Sequence, residues 1–330
     1  MQVAAAPRAL GPIEPGASVF MLSGQGSQKP GMGADLLDVP EVAQAFERAS
    51  RAFGFDVAQL VASGDAERIN DTRFAQPALC ALSVGIARAL EARGVAPSAV
   101  LGFSLGQIGA LAVAGMLSDD EVFQLVRVRT DLMAQAAERH PGAMSALLKG
   151  TDEEVEQLCE QCAQGGVLVP ANYNSPGQVV VSGDVEAVAR AEEAWAAQGK
   201  KASRLKTSGA FHSPLMAEAA EGLAAYLEGV EFSEPRIPLV CNVDAAPLSA
   251  AVAREHLALQ VTHPVRFVSC VRALAEAGAD TFVEVGFGGV LKNLVKRIEK
   301  DAARECVQDR ASLEAYASAH GRPQDEAAAE

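Results

Sequence analysis

Ser104 is the middle residue of Gly102-Phe103-Ser104-Leu105-Gly106, a match to G-x-S-x-G. In that pattern the flanking glycines permit a sharp strand-to-helix turn that lifts the serine hydroxyl clear of the backbone and close to a helix N-terminus. A hydroxyl presented this way can attack an acyl carbonyl, although the same five residues also describe a serine in an ordinary turn. A serine nucleophile requires a base, and the chain has five histidines: His140, His212, His256, His263 and His320. His320 lies in the polar C-terminal stretch, His256 on a polar-patterned helix, His140 at a helix end before Pro141, and His263 directly before Pro264. By pattern, His212 stands first, because SGAFHSP lies between a strand and a helix. Paired with Ser104, its ring would take the hydroxyl proton on attack and return it to the leaving group.

The elements that must position these residues read as α/β. Apolar strand-like runs (SVFML, SAVLGF, PLVCNV, TFVEV) alternate with helical patterns such as EVAQAFERASRAFG and PALCALSVGIARALEARG, which predicts a parallel sheet covered by helices. Ser104 falls between SAVLGF and the helical QIGALAVAGMLS. Capping boxes at Ser118–Glu121 and Thr151–Glu154 mark two helix starts, and Pro77 is read as lying in the first turn of another. Residues 141–207 change character, running strand, helix, strand, strand, helix, strand. That is the ferredoxin-like β-α-β-β-α-β order. The expected architecture is therefore an α/β-hydrolase-like body, residues 17–140 and 208–307, carrying an inserted ferredoxin-like subdomain that roofs a cleft beside Ser104. Residues 1–16 read as a flexible lead-in with no signal-peptide h-region, and 308–330 as a polar, frayed tail.

Composition excludes several functions. With 330 residues, 49% of them hydrophobic, the chain can bury a large core, and a net charge of −14 argues against nonspecific nucleic-acid binding. No uninterrupted apolar run of eighteen residues predicts a membrane span. The six cysteines are too scattered for a disulfide framework and suit a reducing cytoplasm. Cys159 and Cys162 form C-x-x-C on a helical pattern with no second ligand pair, which reads as structural thiols and gives no metal site. GQGSQKPGMG resembles a phosphate loop but continues Met-Gly where Lys-Ser/Thr is required, and VEVGFGGVLKNL has Leu291 at the third Rossmann glycine position. Both clusters still place backbone N–H groups at strand ends, where a developing oxyanion would be stabilised, and this singles out Gln25.

Six segments occur in a telling order: GQGSQ, GFSLGQ, RTDLMAQ, NYNSPGQVVVSG, SGAFHSPLM and VEVGFGGVLKNLVKRI. Together, over roughly residues 17–300, the chain resembles the malonyl-CoA:acyl carrier protein transacylases. The resemblance implies that Ser104 takes malonyl from coenzyme A and that His212 serves as base and acid in both halves of a ping-pong reaction. It also implies an oxyanion hole from the Gln25 and Leu105 amides, a main-chain carbonyl, assigned to Arg266 in HPVRF, that orients His212, and Arg129 binding the malonyl carboxylate. A planar guanidinium suits that last task, since it grips a carboxylate through two parallel bonds. Taken alone, Arg129 reads first as a solvated helix arginine and Phe211 as core packing; the resemblance reverses the first reading and makes Phe211 the residue that crowds out a 2-methyl branch. The implied substrates are malonyl-CoA and phosphopantetheinylated acyl carrier protein, for fatty-acid synthesis in the cytoplasm, with no metal or bound organic cofactor.

Two positions depart from the family pattern: Phe103 stands where histidine is usual, and Gln107 where an acid is usual. The competing readings are a serine thioesterase using the same pair, an acyltransferase of a polyketide pathway, and a non-catalytic carrier-protein-binding relative. An acidic carrier protein requires a local positive surface, for which Lys200-Lys201-Arg204-Lys206 and Lys292-Lys296-Arg297 are the candidates.

Overall fold

A computed structural model describes residues 10–207 and 209–321. The chain opens with β1 (Ser18–Leu22), followed by α1 (Pro40–Phe53), α2 (Val57–Ser63), α3 (Ala66–Asn70) and α4 (Thr72–Glu91). Next come β2 (Ala99–Gly102), α5 (Leu105–Val113) and α6 (Asp119–Arg139). The small subdomain follows as β3 (Ala143–Leu148), α7 (Asp152–Ala163), β4 (Leu168–Ser175), β5 (Gln178–Gly183), α8 (Val185–Ala197) and β6 (Lys201–Arg204). The chain then returns to the body through α9 (Ala217–Leu227), β7 (Leu239–Val240), α10 (Ala250–Gln260) and α11 (Phe267–Glu276). It closes with β8 (Thr281–Val285), α12 (Val290–Ile298), β9 (Ala303–Val307) and α13 (Arg310–His320).

The body sheet has the order β7-β2-β1-β8-β9, and every pairing in it is parallel. Side chains alternate across such a sheet, so a strand covered on both faces must be apolar throughout. In β1, Phe20 and Leu22 face a core built with α1, α4, α5 and α6, whereas Val19 and Met21 face a second core with α11 and α12. The small sheet, order β4-β5-β3-β6, is antiparallel and matches the ferredoxin-like topology. Its outer face packs on α7 and α8 around Trp195, with Cys159 and Cys162 buried there as free thiols. No helix among the described residues is long and apolar enough to cross a membrane.

Both predicted capping boxes are formed. Pro77, however, sits inside α4, because Asp71 caps that helix well upstream by accepting the Arg73 amide. PLVCNV pairs only through Leu239 and Val240, since the chain reverses at once: the Cys241 amide donates to the Ala246 carbonyl across a turn in which Ala245 has φ 59°. The terminal readings also change. Residues 1–9 and 322–330 lie outside the described residues. Within the lead-in, Ile13 is buried and donates its amide to the Ala277 carbonyl at 2.7 Å. Within the polar tail, β9 extends the sheet edge and α13, capped by Asp309, buries Leu313 and Tyr316, a spacing of three that its alanine-rich sequence obscures.

Candidate active site

The C-terminal ends of β1, β2, β7 and β8 converge, as ligand sites do on parallel sheets. β2 stops at Gly102, α5 starts at Leu105, and Ser104 between them has φ 52° and ψ −101°. The backbone strain therefore falls on the serine itself, at a cost of about 1–3 kcal/mol for such a conformation. The glycines are needed for space: a Cβ on Gly102 would lie 2.0 Å from the Gln107 nitrogen, and one on Gly106 2.1 Å from the Leu22 carbonyl oxygen.

His212 arrives from the loop before α9, with φ 59° and only 4% of its surface exposed. Its Nε2 lies 2.8 Å from Ser104 Oγ. Its Nδ1 lies 2.8 Å from the Gln260 carbonyl oxygen and 3.2 Å from that of His263. Two carbonyls can only accept, so Nδ1 carries the proton and Nε2 presents its lone pair to the hydroxyl. Burial, reinforced by the Arg129 charge and opposed by the two carbonyls, lowers the imidazole pKa to about 4, which keeps it neutral at pH 7.

The carbonyl assignment made from HPVRF is corrected by this geometry. The Arg266 carbonyl accepts the Cys270 amide in α11, and its guanidinium binds the Val243 carbonyl. Gln260 ends α10, where helix carbonyls lack intrahelical donors, and that end points at His212.

Arg129 projects from α6 and is 1% exposed, so the solvated-helix reading does not hold. Nη2 donates to Ser104 Oγ at 3.1 Å and to Gln260 Oε1 at 3.3 Å, and Nη1 donates to Gln76 Oε1 at 2.9 Å. Nε has no hydrogen-bond partner, and no carboxylate pairs with Arg129 among the described residues. Burial lowers its pKa to about 10, which still leaves it protonated at pH 7. Arg127, two residues away, is half-buried and pairs with Asp131 at 3.6 Å.

A cavity of about 400 Å³ surrounds these groups. Gln25, Leu105, Arg129, Phe211 and Met133 line it from the body, and Met144, Asn172, Asn174 and Gln178 from the small subdomain, which roofs the serine as expected. Leu105 is the first residue of α5, so its amide belongs to the helix-terminal donors without intrahelical partners. The Gln25 side chain is tied to Thr72 and Gln76, which fixes the loop after β1. Phe103 packs its ring 5.5 Å from that of Phe267. Sequence reasoning missed Gln76, Asn242 and Gln260. Each is a buried amide amid apolar residues, a signal visible only once the elements are docked.

A parallel sheet whose strained serine faces a buried neutral histidine is the arrangement that serine acyl enzymes build on α/β-hydrolase-like bodies. Within that class, the acyl transferase domain family matches residues 19–318. Malonyl CoA-acyl carrier protein transacylases from Salmonella typhimurium and Bacillus subtilis are 39% and 36% identical, over 90% and 89% of this chain and 97% and 94% of theirs. The crystal structure of the malonyl-CoA:acyl carrier protein transacylase of Xanthomonas oryzae pv. oryzae superimposes with TM-score 0.89 at 38% identity, over 94% of this chain and all of the other. A malonyl-transacylase in complex with its type II PKS acyl-carrier protein gives TM-score 0.88 at 40% identity, over 92% of this chain and 99% of that one. The chain belongs to the malonyl-CoA:acyl carrier protein transacylase family.

Proposed function

We infer that the chain transfers malonyl from malonyl-CoA to the phosphopantetheine thiol of acyl carrier protein through a malonyl-Ser104 ester. The observation that carries this reading is a buried guanidinium, unpaired by any carboxylate among the described residues, 3.1 Å from the Ser104 hydroxyl. A charge held there without a counterion suits a substrate that brings its own carboxylate.

In the first half-reaction His212 Nε2 accepts the Ser104 proton as Oγ bonds to the thioester carbon. The Gln25 and Leu105 amides receive the developing oxyanion, a contribution of about 3 kcal/mol per donor. The C–S bond then breaks, the electron pair leaves on sulfur, and His212 returns the proton to the coenzyme A thiol. The second half-reaction runs the same steps in reverse with the carrier thiol. Gln260 and His263 carbonyls stabilise the transient imidazolium through Nδ1. Phe211 crowds the acyl pocket and disfavours a 2-methyl branch, by about 1–3 kcal/mol for one methyl group.

The malonyl product suits fatty-acid synthesis in the cytoplasm, where six free thiols persist. For the carrier protein, the face at α12 and Lys206 is favoured. Lys200 and Arg204 are engaged by Glu154 and Glu192 at 2.8 and 2.6 Å, whereas Lys292, Lys296 and Arg297 form no ion pair among the described residues. Lys206 and the start of α12 line the cavity.

The test is intact mass after incubation with malonyl-CoA alone. A stable malonyl adduct on the native chain, absent from Ser104→Ala and reduced in Arg129→Ala, is expected. Rapid release of free malonate would make the chain a hydrolase, and neither adduct nor turnover would make it a non-catalytic carrier-binding relative.

A further inference from the structure

Ser104 is the N-cap residue of α5, yet it does not behave as one. Ser118, the N-cap of α6, has φ −70° and ψ 161°, and its hydroxyl accepts the Glu121 amide. That is the relaxed arrangement for serine at this position. Ser104 at φ 52° makes no side-chain cap. Relaxation of Ser104 to the Ser118 conformation would relieve the backbone and turn the hydroxyl back onto its own helix, away from His212. Something must hold it out.

The group in place is Asn242, in the turn after β7. It is fully buried, and four of its polar atoms are hydrogen-bonded. Its Oδ1 accepts the Ser104 amide at 2.8 Å and its Nδ2 donates to the Gly102 carbonyl at 2.8 Å. Its backbone amide donates to Gln107 Oε1 at 2.7 Å, and its carbonyl accepts the Arg266 amide at 2.9 Å. One side chain thus spans both arms of the turn, with an acceptor where the serine amide emerges and a donor where the strand ends. A side-chain amide supplies both, whereas a carboxylate can only accept. Gln107, fully buried on α5, supports it from beneath, and its Nε2 reaches Cys241 Sγ at 3.7 Å. Gln260, whose carbonyl holds His212, also donates to the Ser104 carbonyl at 3.2 Å and to Asn242 Oδ1 at 3.4 Å.

We propose that Asn242 is a positioning residue for the nucleophile: its side-chain amide clamps Gly102 and Ser104 so that the hydroxyl stays on His212 instead of capping α5, and Gln107 fixes the clamp. The glutamine that departs from the family pattern thereby has a use, since its carbonyl oxygen supplies the acceptor that the Asn242 amide requires. Asn242 touches neither substrate nor a transferred proton. It acts through the backbone of Ser104.

This inference rests on Ser104 being the nucleophile, and the test separates the two. The first readout is the second-order rate at which a fluorophosphonate labels Ser104, since that probe has no carboxylate and makes no use of Arg129. The second is kcat and KM for malonyl transfer. Asn242→Ala, verified as folded by circular dichroism, is expected to label about 10²-fold more slowly, the cost of a misplacement near 1 Å. Its kcat falls with it, while KM for malonyl-CoA stays within about threefold, because the lost alignment is expressed in the transition state. Gln107→Leu slows labelling, and Gln107→Glu, which returns an acceptor, labels faster than Gln107→Leu. Labelling of Asn242→Ala within about threefold of the native rate, or a loss confined to KM, overturns the clamp. If Asn242→Ala does not fold, the Gln107 pair decides, and a native rate in Gln107→Leu overturns it. A native chain that the probe leaves unlabelled overturns the nucleophile reading, and the clamp with it.

Discussion

Replacement of Arg129 by alanine separates recognition of the carboxylate from the chemistry at Ser104. A malonyl carboxylate gripped by the guanidinium gains two charge-assisted hydrogen bonds of about 1.5–3 kcal/mol each. Some of this is offset by rearrangement of Gln76 and Gln260, which hold the guanidinium at 2.9 and 3.3 Å in the free site. A net loss of about 3–4 kcal/mol corresponds to a fall of about 10²–10³ in kcat/KM for malonyl-CoA, at 1.4 kcal/mol per tenfold. Acetyl-CoA has no carboxylate. Its rate loses only the donation from Nη2 to Ser104 Oγ, and the variant is relieved of a buried charge that burial already disfavours. Acetyl transfer should change by less than about tenfold, the worth of one ordinary hydrogen bond. The assay is single-turnover acylation with both thioesters, followed by release of the coenzyme A thiol. The expected outcome is a malonyl-to-acetyl preference that collapses by about 10²-fold or more. A second signature accompanies it: the Arg129 charge is the second cause, after burial, of the low His212 pKa, so the acid limb of the variant's profile should move to higher pH. An equal loss for both thioesters would refute recognition of the carboxylate by Arg129 and leave Arg129 as a support for Ser104 and Gln260.

His212 also makes stability depend on pH. Its pKa of about 4 in the folded chain lies below the ordinary 6.5, so between these values the unfolded state binds a proton that the folded state does not, and stability falls as pH drops. The full difference is about 3 kcal/mol, and chemical denaturation at pH 7 and pH 4.5 should show a smaller loss in His212→Gln than in the native chain. Gly106→Ala should destabilise by about 3 kcal/mol or more, since its Cβ would lie 2.1 Å from the Leu22 carbonyl oxygen and both are backbone-fixed; urea unfolding measures it. Charge reversal at Lys296 and Arg297 should weaken carrier-protein binding and flatten its salt dependence, while reversal at Lys201 should do neither; fluorescence titration across ionic strength distinguishes them.

Much of this was written locally in the chain. Capping boxes depend on residues three apart, strand alternation on a period of two, and the βαββαβ order on turn residues between short runs, so helix starts, the parallel sheet and the inserted subdomain were legible. That Ser104 and His212 meet was legible too, because histidines are few and the neighbours of both residues distinctive. What the sequence did not disclose depends on backbone atoms and distant partners. Every residue has a carbonyl, so nothing in the letters marks the one at Gln260, rather than Arg266, as the partner of His212. Arg129 looks like any helix arginine until the packing of α4, α6 and α10 removes its solvent. Asn242 meets Ser104 across 138 residues. The sequence by itself determined which groups could react; only the tertiary structure decided how they are held, because burial, strain and carbonyl direction are properties of elements brought together and of no single segment.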